Sequence, residues 1–282
     1  MQASQINEST KLVTDLNLDS LLRVELVSWI EEDMNIIIQE TDIKPSTTVK
    51  DLEELIKIKK PATDSSILKK WPRSNWILPF RFIGQQLLFL LSKIYISKLN
   101  IQGKENLENL NFPVIFMPTH TSILDSFVLA KALPFKIRYN TAFAAARDSL
   151  YDVYKVGSVV IEAIFNSFPI SRKETENIKQ GLDFIGQILD QGYSVVVFPE
   201  GQMSQSGQLL PLKRGTGIIA TEMDVQIVPV KIIGTRNIIP YESNLPKGRS
   251  EVTVKFGKPI KFKRSESQAF VIEQITEAIK NL

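Results

Sequence analysis

Three short apolar runs constrain this chain most: Val114-Ile115-Phe116-Met117, Val195–Phe198 and Ile227–Ile233. Each is continuous but for Lys231, not alternating, and too short for a buried helix, so each reads as a buried strand. Val252, Val254 and Phe256 alternate with polar residues, as in a half-exposed strand. Between the runs, Ile178, Leu182, Ile185 and Leu189 recur at helical spacing and Gly192 ends the stripe. A last helix carries Phe270, Val271, Ile275 and Ile279. Strands alternating with helices predict an α/β domain over residues 100–282, with a mainly parallel sheet covered by helices. No internal repeat is visible.

The first of those runs leads into Thr119-His120-Thr121-Ser122-Ile123-Leu124-Asp125. His120 is the sole histidine of 282 residues. It falls on the turn between a strand and a helix, where reactive groups are often displayed. Asp125 falls in the first helical turn, whose side chains tilt back towards the N-terminus. Its carboxylate can reach one imidazole nitrogen and leave the other as the acceptor that a general base needs. Ser122 and Asp125 also read as a capping box, which by itself would account for the aspartate.

The net charge of +3 hides an uneven distribution. Residues 1–60 hold 7 Lys/Arg against 12 Asp/Glu, and residues 61–282 hold 27 against 19. An acidic segment joined to a basic one predicts two modules with different partners. The basic part suits anionic lipid or a phosphate-bearing substrate, and its charge is too sparse for nucleic acid. With no cysteine and one histidine, disulfides, a protein thiol nucleophile and a zinc site are not expected. The polar N-terminus lacks a signal-peptide pattern, which predicts a cytoplasmic location.

In residues 1–60, Ser20 opens a helix with Leu22, Leu26, Trp29 and Ile30 on one face. Serine is a good N-cap, and capping alone would explain it. The context Asp19-Ser20-Leu21, the acidic residues Glu25, Glu31, Glu32 and Asp33, and Thr47-Thr48-Val49-Lys50-Asp51-Leu52 as a capped helix start together resemble an acyl carrier protein. That resemblance implies 4'-phosphopantetheine attached covalently to Ser20. The 19 residues before Ser20 carry no apolar period, so the carrier's first helix is not visible. An incomplete carrier segment, or the tail of a longer polypeptide, would account for this.

Residues 59–75 read as a linker, and Trp76–Ile96 is the most apolar region. Pro79, Arg81, Gln85, Gln86 and Lys93 interrupt it, whereas a membrane span needs about 20 mostly apolar residues. With Trp71, Trp76, Lys69, Lys70 and Arg73 beside it, the region over 61–99 is expected to hold an amphipathic helix in the membrane interface. A helix packed on the main domain, or a true span, fits the same residues less well.

Further stretches join His120 and Asp125: Phe168-Pro169-Ile170-Ser171-Arg172, then Phe198-Pro199-Glu200-Gly201-Gln202-Met203-Ser204, then Lys213-Arg214-Gly215 and Ile227-Val228-Pro229-Val230. In this order and spacing, residues 100–260 resemble the glycerolipid acyltransferase family, typified by lysophosphatidic acid acyltransferase. Ile101-Gln102-Gly103-Lys104-Glu105-Asn106-Leu107 is similar to that family's entry into the domain. Three departures stand out: Thr119 where Asn is usual, Ser171 where Asp is common, and Gln202-Met203 in place of Thr-Arg. The last removes a positive charge from the acceptor region.

The resemblance implies transfer of a fatty acyl group from a phosphopantetheine thioester, on an acyl carrier protein or coenzyme A, to a hydroxyl of a glycerol phosphate or lysophospholipid. It makes His120 the base and Asp125 its orienter, and assigns Arg172, Glu200, Gly201, Ser204 and Lys213 to acceptor binding. Backbone N–H groups near Ser122 are candidates for holding an oxyanion. The resemblance further implies an enzyme working peripherally or monotopically on the cytoplasmic side of a membrane, with an upstream acyl-activating ligase as a partner. Tethering a carrier would raise the local donor concentration to about the millimolar range. A non-catalytic carrier-docked lipid-binding module and an acyl thioesterase are the competing readings.

Overall fold

The computed structural model describes residues 7–34, 38, 40–58, 68–147, 155–170 and 178–282. The chain divides into two compact units, Met1–Ile67 and Leu68–Leu282.

The first unit holds helices α1 (Ser20–Met34) and α2 (Val49–Ile58). Asp19 caps α1: its Oδ1 accepts the Leu22 N–H at 2.9 Å, which leaves Ser20 as the first helical residue and not the cap. Thr48 and Asp51 form a reciprocal capping box at the start of α2, with bonds of 2.9 and 3.2 Å. Ile30 and Ile38 are buried against Leu26, Val27, Leu52, Leu55 and Ile56. Leu22 and Trp29, expected on that face, are 44% and 61% exposed. At 100° per residue the inward arc is centred between Leu26 and Val27, which puts Leu22 and Trp29 beyond its edge. Ahead of α1, backbone bonds join residues 8–12 to 47–50, with one antiparallel bridge between Lys11 and Thr48, and Leu12 is buried there.

The second unit is built on one sheet. Its strands are β1 (Ile96–Gln102), β2 (Val114–Pro118), β3 (Thr141–Ala146), β4 (Ser167–Ile170), β5 (Ser194–Val196), β6 (Gln226–Ile233) and β7 (Ser250–Phe256). Among the described residues their order is β1-β7-β6-β2-β5-β3-β4. All neighbours run parallel except β6 and β7. The sheet is therefore mainly parallel, and helices cover both faces. Ile115 and Met117 of β2 face a core completed by α7 (Ile178–Asp190), α8 (Arg214–Glu222) and α9 (Gln268–Lys280). Val114 and Phe116 face the opposite core with Val128 and Leu129 of α4 (Asp125–Ala132). Alternate residues of one strand thus serve two apolar layers, which is why the run is apolar throughout. In α9, Val271, Ile275 and Ile279 are buried while Phe270 is 45% exposed, so the buried stripe is strictly the four-residue spacing.

Helix α3 (Leu78–Leu91) is amphipathic in an inverted sense. Arg81 and Gln85 are its buried residues, 1% and 2% exposed. They cap the last turn of α6 (Lys155–Phe165): Arg81 Nε donates to the Ala163 carbonyl at 2.7 Å and Gln85 Nε2 to that of Ile164 at 2.8 Å. Arg81 also donates to the carbonyls of Glu162 and Pro72. Burial lowers the Arg81 guanidinium to about 10. Outward stand Trp76, Phe80, Ile83, Leu87, Leu90 and Ile94, all between 56% and 66% exposed.

Candidate active site

β2 is the strand at which chain order reverses across the sheet, with β5 on one side and β6 on the other. The carboxyl end of such a strand is the usual place for a ligand in an open parallel sheet. The loops leaving β2, β5 and β6 all converge there.

From β2 the chain passes through Thr119, whose N–H donates to the Val230 carbonyl at 3.0 Å and whose Oγ1 accepts the Ile232 N–H at 2.9 Å. This pins the residue before His120 to β6. The His120 ring stands with Nδ1 3.0 Å from Asp125 Oδ2. That oxygen also accepts the N–H groups of Thr121 at 2.6 Å and Ser122 at 2.9 Å. Oδ1 of Asp125 accepts the Thr235 hydroxyl at 2.6 Å, and the aspartate is fully buried. A carboxylate fixed by four donors is pre-oriented towards the imidazole and does not have to reorganise when the ring gains charge. With an acceptor at Nδ1, the ring proton sits there and Nε2 is left as a base. Nε2 has no protein partner among the described residues, and the side chain is 20% exposed. Phe198 stacks on the ring at 4.0 Å between centroids.

The capping and pairing readings of Asp125 thus coexist. One consequence corrects an expectation: the N–H groups of Thr121 and Ser122 point at Asp125 and are not free to hold an oxyanion.

From β5, Glu200 comes up beneath His120. Its Oε1 accepts the His120 N–H at 2.8 Å and its Oε2 the Leu210 N–H at 2.8 Å. The residue is 1% exposed. Burial pushes its carboxyl above the ordinary value, against the pull of the two N–H groups and the nearby imidazole. Ser204 is fully buried, and its N–H donates to the His120 carbonyl at 2.8 Å. Gly201 has φ +66°, and a Cβ there would stand 3.0 Å from Lys213 Cγ, so the exposed Lys213 side chain lies across it. Arg172 and its neighbour Ser171 lie outside the described residues.

The structure brings His120, Asp125, Glu200, Gly201, Ser204 and Lys213 around one strand end. Thr235 escaped sequence reasoning, although it directly follows the β6 run and Gly234, at the end of a strand where site residues gather. Phe198 was part of a quoted motif with no role attached. Among the described residues no group of three or more His, Asp or Glu side chains is placed to hold a metal ion.

Residues 98–233 match the model of the acyltransferase family, and residues 1–56 that of the phosphopantetheine attachment site. Residues 98–233 are thus similar to the acyltransferase family. A chloroplastic 1-acyl-sn-glycerol-3-phosphate acyltransferase of Brassica napus is 30% identical to it over 169 residues, 58% of this chain and 45% of the relative. One from Arabidopsis thaliana is 28% identical over 164 residues, 58% of this chain and 44% of the relative. The chain therefore spans somewhat less than half the length of these relatives. The crystal structure of the 1-acyl-sn-glycerophosphate acyltransferase of Thermotoga maritima covers 93% of this chain with 94% of its own, at a TM-score of 0.54 and 20% identity. That likeness assigns the matched segment its fold. His120, Asp125, Glu200, Gly201, Ser204 and Lys213 all fall within the matched segment.

Proposed function

We propose that the chain transfers a fatty acyl group from a thioester to the hydroxyl of a glycerol phosphate or lysophosphatidic acid. The observation that carries this reading is the His120–Asp125 pair, held at 3.0 Å with Nε2 unpartnered at the carboxyl end of the central strand. Nε2 accepts the acceptor's hydroxyl proton as its oxygen attacks the thioester carbonyl. The new C–O bond forms an ester, the C–S bond breaks, and the imidazolium returns its proton to the leaving sulfur. Buried Asp125 orients the ring and offsets the charge that it gains. Glu200 and Ser204 hold the His120 backbone from both sides, the first by its carboxylate and the second by its N–H. Lys213 and Arg172 are assigned to the acceptor phosphate.

The donor's thiol belongs to phosphopantetheine, in coenzyme A or on a carrier. Ser20 fits that group's attachment, because Asp19 does the capping and the serine is the first residue of α1. When bound there, the group supplies the thiol that carries an acyl chain. Asn75–Ile94 is long and apolar enough to cross a membrane by length and composition. The inward Arg81 and Gln85 instead support a helix lying in the interface, polar side on the protein and apolar side in lipid. The enzyme then works monotopically on the cytoplasmic face.

The test is incubation of the full chain with an acyl-carrier or acyl-coenzyme A thioester, with and without lysophosphatidic acid. Formation of phosphatidic acid is expected. Thiol release without any acceptor would make the chain a thioesterase, and no turnover at all would leave a binding module.

A further inference from the structure

The loop that passes under His120, from Glu200 to Gln208, contains no lysine or arginine. Its two glycines are each overlain by a cation from elsewhere. Lys213 crosses Gly201, and Arg236 crosses Gly207, where a Cβ would stand 3.0 Å from Arg236 Nη1. Gly207 has φ +80°, so both backbone and space call for glycine at that point. Arg236 follows Thr235, which bonds Asp125 at 2.6 Å. The guanidinium therefore bridges the loops leaving β5 and β6, both of which contribute residues to the His120 site.

Arg236 is half-buried and makes no hydrogen bond or ion pair among the described residues. Among the other described arginines of this unit Arg249 is exposed and likewise without a bond, while several are engaged. Arg81 bonds backbone carbonyls, Arg138 donates to Ala130 and lies over the Phe89 ring, Arg214 bonds Gln268, and Arg264 pairs with Glu222. A guanidinium with no carboxylate partner and its nitrogens still open to solvent is available to an anion. Its planar fork suits a phosphate better than a single oxygen.

We propose that Arg236 binds the phosphate of the acceptor and so selects phosphorylated over uncharged glycerolipid acceptors. The proposal rests on the acyl-transfer reading and adds a further cation, beside Lys213 and Arg172, to the acceptor's phosphate site. Arg236 touches the acceptor's phosphate, while proton transfer stays with His120.

The experiment compares the full-length chain with Arg236→Gln and Arg236→Lys. A fixed acyl thioester donor is used, with lysophosphatidic acid or monoacylglycerol as acceptor. Arg236→Gln should raise the KM for lysophosphatidic acid about tenfold or more, and lower the preference for it over monoacylglycerol by a similar factor. Arg236→Lys should recover part of that, keeping charge without the fork. A KM for lysophosphatidic acid within about twofold of the parent's overturns the proposal, and so does a rise confined to the donor KM, which would put a donor phosphate at Arg236. Titration calorimetry with glycerol 3-phosphate gives a second readout independent of turnover. Binding by the parent that Arg236→Gln loses supports the site even if no phosphatidic acid forms, which would be a failure of the acyl-transfer reading alone. Equal binding by both, or none by either, overturns it.

Discussion

The Glu200 carboxylate accepts the His120 backbone N–H at 2.8 Å, although 80 residues of chain lie between them. Its second oxygen takes the Leu210 N–H, so both oxygens serve backbone donors and the residue is shut away from solvent. Glu200 ties the loop after β5 to the loop after β2, and His120 stands at the knot.

Glu200→Gln keeps the shape but has one acceptor oxygen for two N–H groups. A protonated carboxyl likewise offers one good acceptor and one donor, so where the native carboxyl is protonated the substitution should cost less than about 1 kcal/mol. The sign of the pH dependence follows from the raised folded-state pKa. Stabilisation by protonation is fully present below the ordinary value of 4.5 and is lost as pH rises through the raised one. The stability of the parent relative to Glu200→Gln should therefore be highest at the acid end and fall towards neutrality. Urea melts of both proteins across that range measure it. A gap that widens with pH would mean the carboxyl is not raised.

Turnover should fall about 10²–10⁴-fold in His120→Ala. Folding stability should fall only by about 1 kcal/mol, the worth of the stacked contact with Phe198. Asp125→Asn keeps an oxygen for the Thr121 and Ser122 N–H groups but removes the charge facing the imidazole. It should lower kcat by a comparable order while the melting curve stays close to the parent's. Full activity in Asp125→Asn would reduce Asp125 to a cap.

What the sequence shows depends on how strongly a segment's own pattern matches its surroundings. β2 and β6 are legible because both faces are largely buried, so all of β2 and all of β6 but Gln226 and Lys231 are apolar. β1, β3 and β4 did not stand out. β1 is an edge strand with Ser97, Lys98 and Asn100 in it, and β3 is Thr-Ala-Phe-Ala-Ala-Ala, whose alanines favour helix by propensity. Their partners β7 and β5 hold them in the sheet, and that pairing is not written locally. The site behaves likewise. His120 and Asp125 are five residues apart and can be paired on paper. Thr235 reaches Asp125 from 110 residues away, and only the parallel pairing of β2 with β6 brings it there.

The outward face of α3 offers a test of membrane attachment that spares the fold. Ile83, Leu87 and Leu90 are 66%, 56% and 60% exposed, so Asp at all three positions leaves the core intact. That triple variant should stop co-sedimenting with anionic vesicles and keep its melting temperature. Arg81→Ala should do the reverse, since it strands carbonyls at the end of α6, at about 1–3 kcal/mol for an unsatisfied buried group. Continued sedimentation of the triple variant would place the lipid-binding surface elsewhere.

Ser20 is the residue expected to take phosphopantetheine. A modifying enzyme needs a serine presented at a formed helix start, and α1 begins at Ser20 with Asp19 capping it. The two ends of this unit are held by backbone bonds between residues 8–12 and 47–50, and by Ile30 and Ile38 packed on α2. Incubation of the full chain with coenzyme A and a broad-specificity phosphopantetheinyl transferase should raise the intact mass by one phosphopantetheine. Ser20→Ala should take up none, and should lose transfer from a donor loaded on the chain while keeping transfer from free acyl-coenzyme A. Absence of the mass increase in a chain whose α1 is helical by circular dichroism would show that the donor comes from outside.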